Sequence, residues 1–399
     1  MWRPKVPSGP KGVLNLRYHL PPHWIQYLQQ HAGLATAAAL DVKQLEQSQE
    51  NIPQLRSLEQ DFKSLDVWLQ SQATGVLEYM HFNQKVHGNP QLILENTQTI
   101  IVGLFPYASG LLTRTHPHRP ELDQAKASAK RFSTNVSSKV AQYALSEDYH
   151  KQIKRRLDAF CKRFLPLGTT RVIVDTAPFL ERAHARLAGL GFIGKNTMLI
   201  APGWGSGFFI ASVFVTLSPE ELLFKKNVAP VLWDKLSCGD CRKCLDACPT
   251  NALHTSYSLD PKKCLSYLTI ENRELIPNEF IPAMKDTWYG CDICNQVCPY
   301  NLKTFGLDPS NALGWDLLGA RQVTALEVAK MDIQKYEKWF GGTALTRAKY
   351  PGLVRNALCH LVAQGSSEIT DILESRVNDS NPLIQKTVWQ LKAFLGISG

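Results

Sequence analysis

Cys238-Gly239-Asp240-Cys241-Arg242-Lys243-Cys244-Leu245-Asp246-Ala247-Cys248-Pro249 is the stretch on which the reading of this chain turns. Its spacing is C-x2-C-x2-C-x3-C-P. In such a run three thiolates wrap three irons of one 4Fe–4S cube, and the fourth, followed by proline, turns away to a second cube. A second run supplies the partner: Cys264, then Cys291, Cys294 and Cys298-Pro299. It is the same motif with a long insertion after its first cysteine. Crossing the fourth cysteines assigns Cys238, Cys241, Cys244 and Cys298 to one cluster and Cys248, Cys264, Cys291 and Cys294 to the other. Two zinc sites are the competing reading. Paired C-x2-C units would satisfy zinc, but zinc has no use for the Cys-Pro ends. A ferredoxin-like two-cluster domain is therefore expected over residues 223–310.

Outward from these runs, the chain has 399 residues, enough for two or three domains. Eight of its ten cysteines fall in the two runs, and Cys161 and Cys359 stand alone as buried thiols of the core. No apolar stretch reaches the ~18–20 residues of a membrane span. Met1-Trp2-Arg3-Pro4-Lys5 leads into Pro and Gly, not into an apolar leader. The Arg155-Arg156 pair lies inside a helical pattern, so it is no twin-arginine export signal. Reduced cysteines without a signal point to the cytoplasm, and no membrane partner is expected. The formal net charge of +9 favours an acidic partner, nucleic acid first.

Residues 1–222 read as an α/β domain, with residues 1–30 as an extension ahead of it. Thr99–Phe105, Arg171–Val174 and Phe208–Val215 are buried-strand patterns. Ile153, Leu157, Phe160 and Phe164 repeat at helical spacing within 147–165. Pro178 suits a helix start, with Phe179, Ala183, Leu187 and Leu190 as its apolar stripe. Residues 311–399 read as all-helical, with short helices joined by Gly365-Ser366 and Asp379–Pro382, in the manner of an α-solenoid pair.

Gly189-Leu190-Gly191-Phe192-Ile193-Gly194 spells a dinucleotide fingerprint. That fingerprint must follow a strand and open a helix. Here it follows a helix and precedes the strand-like Thr197–Ile200, so the context is reversed. With Lys195 it nearly spells a P-loop, but Asn196 stands where Ser or Thr would ligate magnesium. The expected use is different. Gly191 and Gly194 would let the backbone approach a large flat ligand, and Lys195, Asn196 and Thr197 would contact it.

Asp175-Thr176-Ala177-Pro178, Gly189–Thr197, Asp148-Tyr149-His150, Cys264–Glu271, the two cysteine runs, Arg347-Ala348-Lys349 and Gly352–Ala357 together resemble the epoxyqueuosine reductases. The resemblance covers about residues 90–395. It implies cobalamin and two 4Fe–4S clusters, and reduction of epoxyqueuosine to queuosine at the wobble position of tRNA, the last step of queuosine synthesis. It implies a cobalamin domain like that of reductive dehalogenases and nitroreductases, then the ferredoxin-like domain, then a HEAT-like helical domain that binds tRNA. It further implies a monomer fed by a low-potential donor of flavodoxin or ferredoxin type.

Turning an epoxide into an alkene takes two electrons and two protons and releases water. The departing oxygen needs an acid. Asp175 is the candidate catalytic residue, at the end of a strand and beside the cofactor, with burial expected to raise its pKa. His150 is placed near the pocket. Asp148-Tyr149-His150 begins a cobalt-ligand signature, but Ile153 occupies the glycine position and the signature fails. Ser266 and Asp292 are expected to approach the corrin because they flank cluster ligands. Arg273, Arg347, Lys349 and Arg355 match family positions near tRNA. The alternatives are a reductive dehalogenase-like reductase of a small molecule and an electron carrier fused to a scaffold. The helical end and the lack of an export signal argue against the first. The Asp175 and Gly189–Thr197 segments argue against the second.

Overall fold

The computed structural model describes residues 17–47, 58–71, 89–107, 140–145, 147–175, 177–226, 236–302 and 323–397. Its strands are β1 (Arg17–His19), β2 (Thr36–Asp41), β3 (Thr99–Pro106), β4 (Thr170–Val174), β5 (Phe192–Ile193), β6 (Leu199–Ile200), β7 (Phe208–Val215) and β8 (Lys225–Lys226). Six of them form one sheet in the order β4-β7-β3-β2-β1-β8. Every pairing is antiparallel, with β3 facing β7 from Thr99↔Val215 to Pro106↔Phe208.

The sheet is buried on both faces, which is why its central strands read as continuous apolar runs and not as alternation. Ile101, Phe105, Val213 and Val215 point to one face, under α1 (Pro22–Ala32), and Trp24, Leu28 and Phe160 lie in the same core. Ile100, Val102, Leu104 and Phe214 point to the other face, with Val42, Leu45, Ala183 and Leu187. The helices involved are α2 (Val42–Gln47), α3 (Leu58–Ser71), α4 (Tyr149–Phe164) and α5 (Glu181–Leu187). Trp24 meets Phe160 and Phe224 edge-on at 5.2 and 5.3 Å. Residues 17–30 are thus not an extension. β1 pairs with β2 and β8, and α1 packs on α4. Residues 1–16 lie outside the described residues.

The helix expected from Pro178 begins at Glu181. Two tight turns delay it, with Phe179 N–H donating to Ala177 O and Glu181 N–H to Phe179 O. The Gly189–Ile200 stretch closes as a β5–β6 hairpin, followed by no helix.

The cysteine runs each fold around a one-turn helix, α6 (Lys243–Asp246) and α8 (Ile293–Gln296). Cys264 stands at the start of α7 (Leu265–Ile270). The insertion that follows supplies Ile276, Met284 and Trp288 to one core with Leu353, Ala357 and Leu361. Those three residues lie on α11 (Lys349–Gln364), the centre of a set completed by α9 (Ala325–Lys330), α10 (Ile333–Phe340), α12 (Ile369–Ser375) and α13 (Pro382–Leu395). Val377, just past the end of α12, still packs half-buried against this core, while Leu395 at the end of α13 is exposed.

Candidate active site and cluster sites

β4 is an edge strand of an antiparallel sheet, and Asp175 follows directly on its end. Its φ of 58° is left-handed, a conformation Asp tolerates better than most residues. Three groups hold it there. Its own N–H donates to Glu181 Oε1 at 2.8 Å. Tyr149 Oη donates to Oδ2 at 2.6 Å. His150 Nε2 reaches the same oxygen at 3.2 Å. The other ring nitrogen, Nδ1, lies 2.7 Å from Asp148 Oδ1, which also caps α4 by accepting from His150 N–H. Tyr149 is stacked between His150 and Phe209, each at 3.9 Å between ring centres. The Asp175 side chain nonetheless keeps 59% of its surface open.

The electrostatics differ from the expectation for Asp175. Burial does raise its carboxyl, but the bonds from His150 and Tyr149, with the charges of His150 and Arg182, outweigh burial and hold it below the usual carboxylate range. The proton sits next door. Burial would lower His150, yet its bonds to Asp148 and Asp175 lift it to about 9, so it is an imidazolium at neutral pH. Glu181 is pushed up to about 8, by burial first and by the Asp175 charge second.

Several sequence-assigned cofactor contacts are used otherwise. A Cβ on Gly191 would stand 2.4 Å from Ile200 O, so the hairpin backbone itself requires that glycine, and one on Gly194 would stand 2.6 Å from Ile200 Cδ1, so the Ile200 side chain would have to shift. Lys195 Nζ donates to Gly239 O at 2.6 Å and Cys241 O at 3.0 Å, turning toward the first cysteine run and not toward Asp175. Lys195 N–H points at Cys238 Sγ, 3.4 Å away. Asn196 is buried and donates to Asn295 Oδ1 in a network with Ser206 and Asn301. Thr197, at φ 66°, offers its carbonyl to Arg182. The hairpin is a clamp between sheet and cysteine runs. Asp292 is buried and accepts from Gln142 N–H at 2.7 Å. Ser266 is half-buried on the first turn of α7.

The eight cysteines lie close enough for their charges to act on one another. Cys244 is raised by burial and then by Cys238 and Cys298, and Cys298 by burial and then by Cys238 and Cys241. Cys291 is raised by burial and then by Cys264, Asp292 and Cys248, and Cys294 by burial and then by Cys291, Cys264, Asp292 and Cys244. Most of these couplings run within the crossed sets, and the one from Cys294 to Cys244 runs between them. Among the described residues no group of three or more His, Cys, Asp or Glu is drawn tightly enough for a single metal ion. A 4Fe–4S cube takes four thiolates at its corners, and the chain supplies two sets of four. Cys161 and Cys359 are buried, with thiols pushed up to about 11 and about 12 by burial.

Arg347 and Arg273 are 57% and 46% exposed and share Glu271, 2.7 Å from Arg347 Nε and 3.9 Å from Arg273 Nη2. Lys349 is exposed at the start of α11. Arg355 is the correction. It is fully buried, and its guanidinium donates to Leu268 O, Asn272 O and Glu274 O and to Asn356 Oδ1. It ties the insertion to α11 and offers nothing to a nucleic acid. Tyr149 and Glu181 had been passed over in the sequence. Tyr149 stood inside a quoted triplet, and Glu181 was an acidic first-turn residue six positions after Asp175.

Two runs of four cysteines, joined by a buried polar clamp to an α/β unit that displays an aspartate beside a proton-bearing histidine, define a two-cluster iron–sulfur oxidoreductase. Residues 237–301 match the 4Fe–4S double cluster binding domain, and residues 88–176 match the model described as epoxyqueuosine reductase QueG, DUF1730. The epoxyqueuosine reductase of Cyclobacterium marinum is 33% identical over 308 residues, 75% of this chain and 87% of that protein. That of Pseudomonas aeruginosa is 32% identical over 337 residues, 82% and 86% of the two chains. The solved epoxyqueuosine reductase of Streptococcus thermophilus shares the fold at a TM-score of 0.69 and 24% identity, over 94% of this chain and 90% of that one. A structure of the enzyme with an epoxyqueuosine-modified tRNA stem loop matches at 0.68 and 23%, over 94% and 89%. The chain belongs to the epoxyqueuosine reductase family.

Proposed function

We propose that the chain reduces epoxyqueuosine to queuosine at the wobble position of tRNA in the cytoplasm, with Asp175 delivering the proton to the departing oxygen. The observation that carries this reading is the convergence of Tyr149 and His150 on one oxygen of a carboxyl that stays more than half open. Asp175 is then the exposed end of a relay. The His150 imidazolium holds the proton at neutral pH, and Asp175 passes it outward.

Cobalamin, when bound, would supply the strong nucleophile or reductant that the epoxide needs. Asp175, His150 and Ser266 would hold it. His150 has both ring nitrogens engaged by carboxylates, so it is not the metal's ligand. Lys195, Asn196, Gly191 and Gly194 act instead through the clamp that fixes the cluster domain against the site. The eight cysteines of the two runs would hold two clusters, which would supply single electrons drawn from a low-potential flavodoxin or ferredoxin. We assign residues 17–222 to the cobalamin domain, 223–310 to the cluster domain and 311–399 to a HEAT-like domain, with a monomer as the working unit. Arg273, Arg347 and Lys349 lie toward the tRNA phosphates, which give affinity without sequence reading. The unpaired anticodon loop lets the modified base enter a pocket.

The test is nucleoside analysis of tRNA bearing epoxyqueuosine after anaerobic incubation with the reconstituted chain, a low-potential reductant, and cobalamin either present or withheld. Cobalamin-dependent queuosine supports the reading. Cofactor binding without queuosine overturns it.

A further inference from the structure

We propose that Glu181 is a positioning residue that latches Asp175 in its left-handed conformation and so aims the acid; this rests on Asp175 as the proton donor. The backbone at Asp175 is in the left-handed region, which a side chain enters at a cost unless its surroundings enforce it. The enforcing contact at the main chain is the bond from Asp175 N–H to Glu181 Oε1, 2.8 Å long. Tyr149 and His150 grip only the side chain. Glu181 itself is fixed, because it opens α5, whose Ala183 and Leu187 are buried in the core under the sheet. The latch therefore ties a strained loop to a rigid helix.

Two carboxyls lie within one hydrogen-bonded turn, and like charges cannot both ionise cheaply there. Asp175 takes the charge, since His150, Tyr149 and Arg182 favour it. Glu181 takes the proton, and a neutral acid still accepts a hydrogen bond through its carbonyl oxygen. A glutamine side chain has the same length, the same neutral charge and the same acceptor. A latch is thus satisfied by Gln but not by Ala, nor by Asp, which is one methylene too short. A proton store would show the reverse order, keeping activity in Glu181→Asp and losing it in Glu181→Gln.

The experiment has two readouts on the cluster-loaded chain. Hydrogen exchange at the Asp175 amide reads the latch without any turnover. It should speed by about tenfold in Glu181→Ala and Glu181→Asp and stay near wild type in Glu181→Gln. Single-turnover conversion of epoxyqueuosine tRNA reads the consequence. Glu181→Ala and Glu181→Asp should lose up to about 100-fold in rate with tRNA affinity unchanged, as a misplaced acid does, while Glu181→Gln keeps most of it. Should Glu181→Ala not fold, the Gln and Asp variants still decide by their order. Unchanged exchange in Glu181→Asp, or a Glu181→Gln variant as slow as Glu181→Asp, overturns the latch. A wild type that leaves epoxyqueuosine untouched would sink the proposed function, while the exchange readout still decides the latch.

Discussion

His150 is the residue whose chemistry most directly sets the pH behaviour of the site. Its folded pKa of about 9 lies above the ordinary 6.5. A raised histidine stabilises the fold fully below the unfolded pKa, and that contribution is lost as pH rises through the folded one. Thermal melts should therefore show a loss between pH 6.5 and about 9 that is absent from His150→Gln. The rate of conversion should fall over the upper part of the same window, because the relay loses its proton. Asp148 and Asp175 run the opposite way. Both are held low, so their stabilisation is present above the ordinary carboxylate range and lost as acid protonates them. The arginines divide by burial. Arg347→Ala should weaken tRNA binding and reduce the salt slope by about 1, with the melting temperature unchanged, since exposed ion pairs stabilise by only ~0–1 kcal/mol. Arg355→Ala should lower stability by more than about 3 kcal/mol, because it strips buried carbonyls of a charged donor. Filter binding across a salt series, beside urea melts, separates the two.

At the scale of elements, the β5–β6 hairpin explains why a glycine-rich motif carries no nucleotide. Gly191 and Gly194 are small because Ile200 lies against them, and Lys195 and Asn196 are polar because they bond the cysteine runs. Gly191→Ala should cost about 1–3 kcal/mol from overpacking and loosen the clamp. Iron analysis should then show loss from the cluster that uses Cys238 and Cys241 before the other, whereas equal loss from both would count against the clamp. These contacts were not legible in the sequence. Period and composition mark a strand or a turn, but which loop a lysine reaches is a long-range fact. The same limit hid Arg355. A basic residue on a helix reads as a solvated face, and only the insertion folding over Leu353 and Ala357 makes that face interior.

For the whole molecule, what was legible was whatever local spacing dictates. The cysteine runs mark a double-cluster domain, since ligand spacing is itself the geometry of a cube. The apolar runs at 99–105 and 208–215 gave the two longest strands, because burial on both faces leaves no polar positions. Strand order and antiparallel pairing are not legible: local pattern places Asp175 at the end of a strand, but does not show that the strand is the edge of an antiparallel sheet. The crossed assignment has its own test. Cys298→Ser should empty the cluster of the first run and Cys248→Ser that of the second, each variant keeping about four irons by analysis and one cluster signal by electron paramagnetic resonance. Loss of the cluster from the mutated run itself would mean uncrossed ligation.

The account stands most directly on one comparison: anaerobic single turnover of epoxyqueuosine tRNA by the wild type and by Asp175→Asn, both loaded with cobalamin and eight irons. Asn keeps the shape but cannot take up the proton from His150 and pass it on. A rate lower by about 100-fold or more in the variant, with cofactor and tRNA binding intact, is the result predicted for the acid. A variant that makes queuosine at the wild-type rate would contradict it.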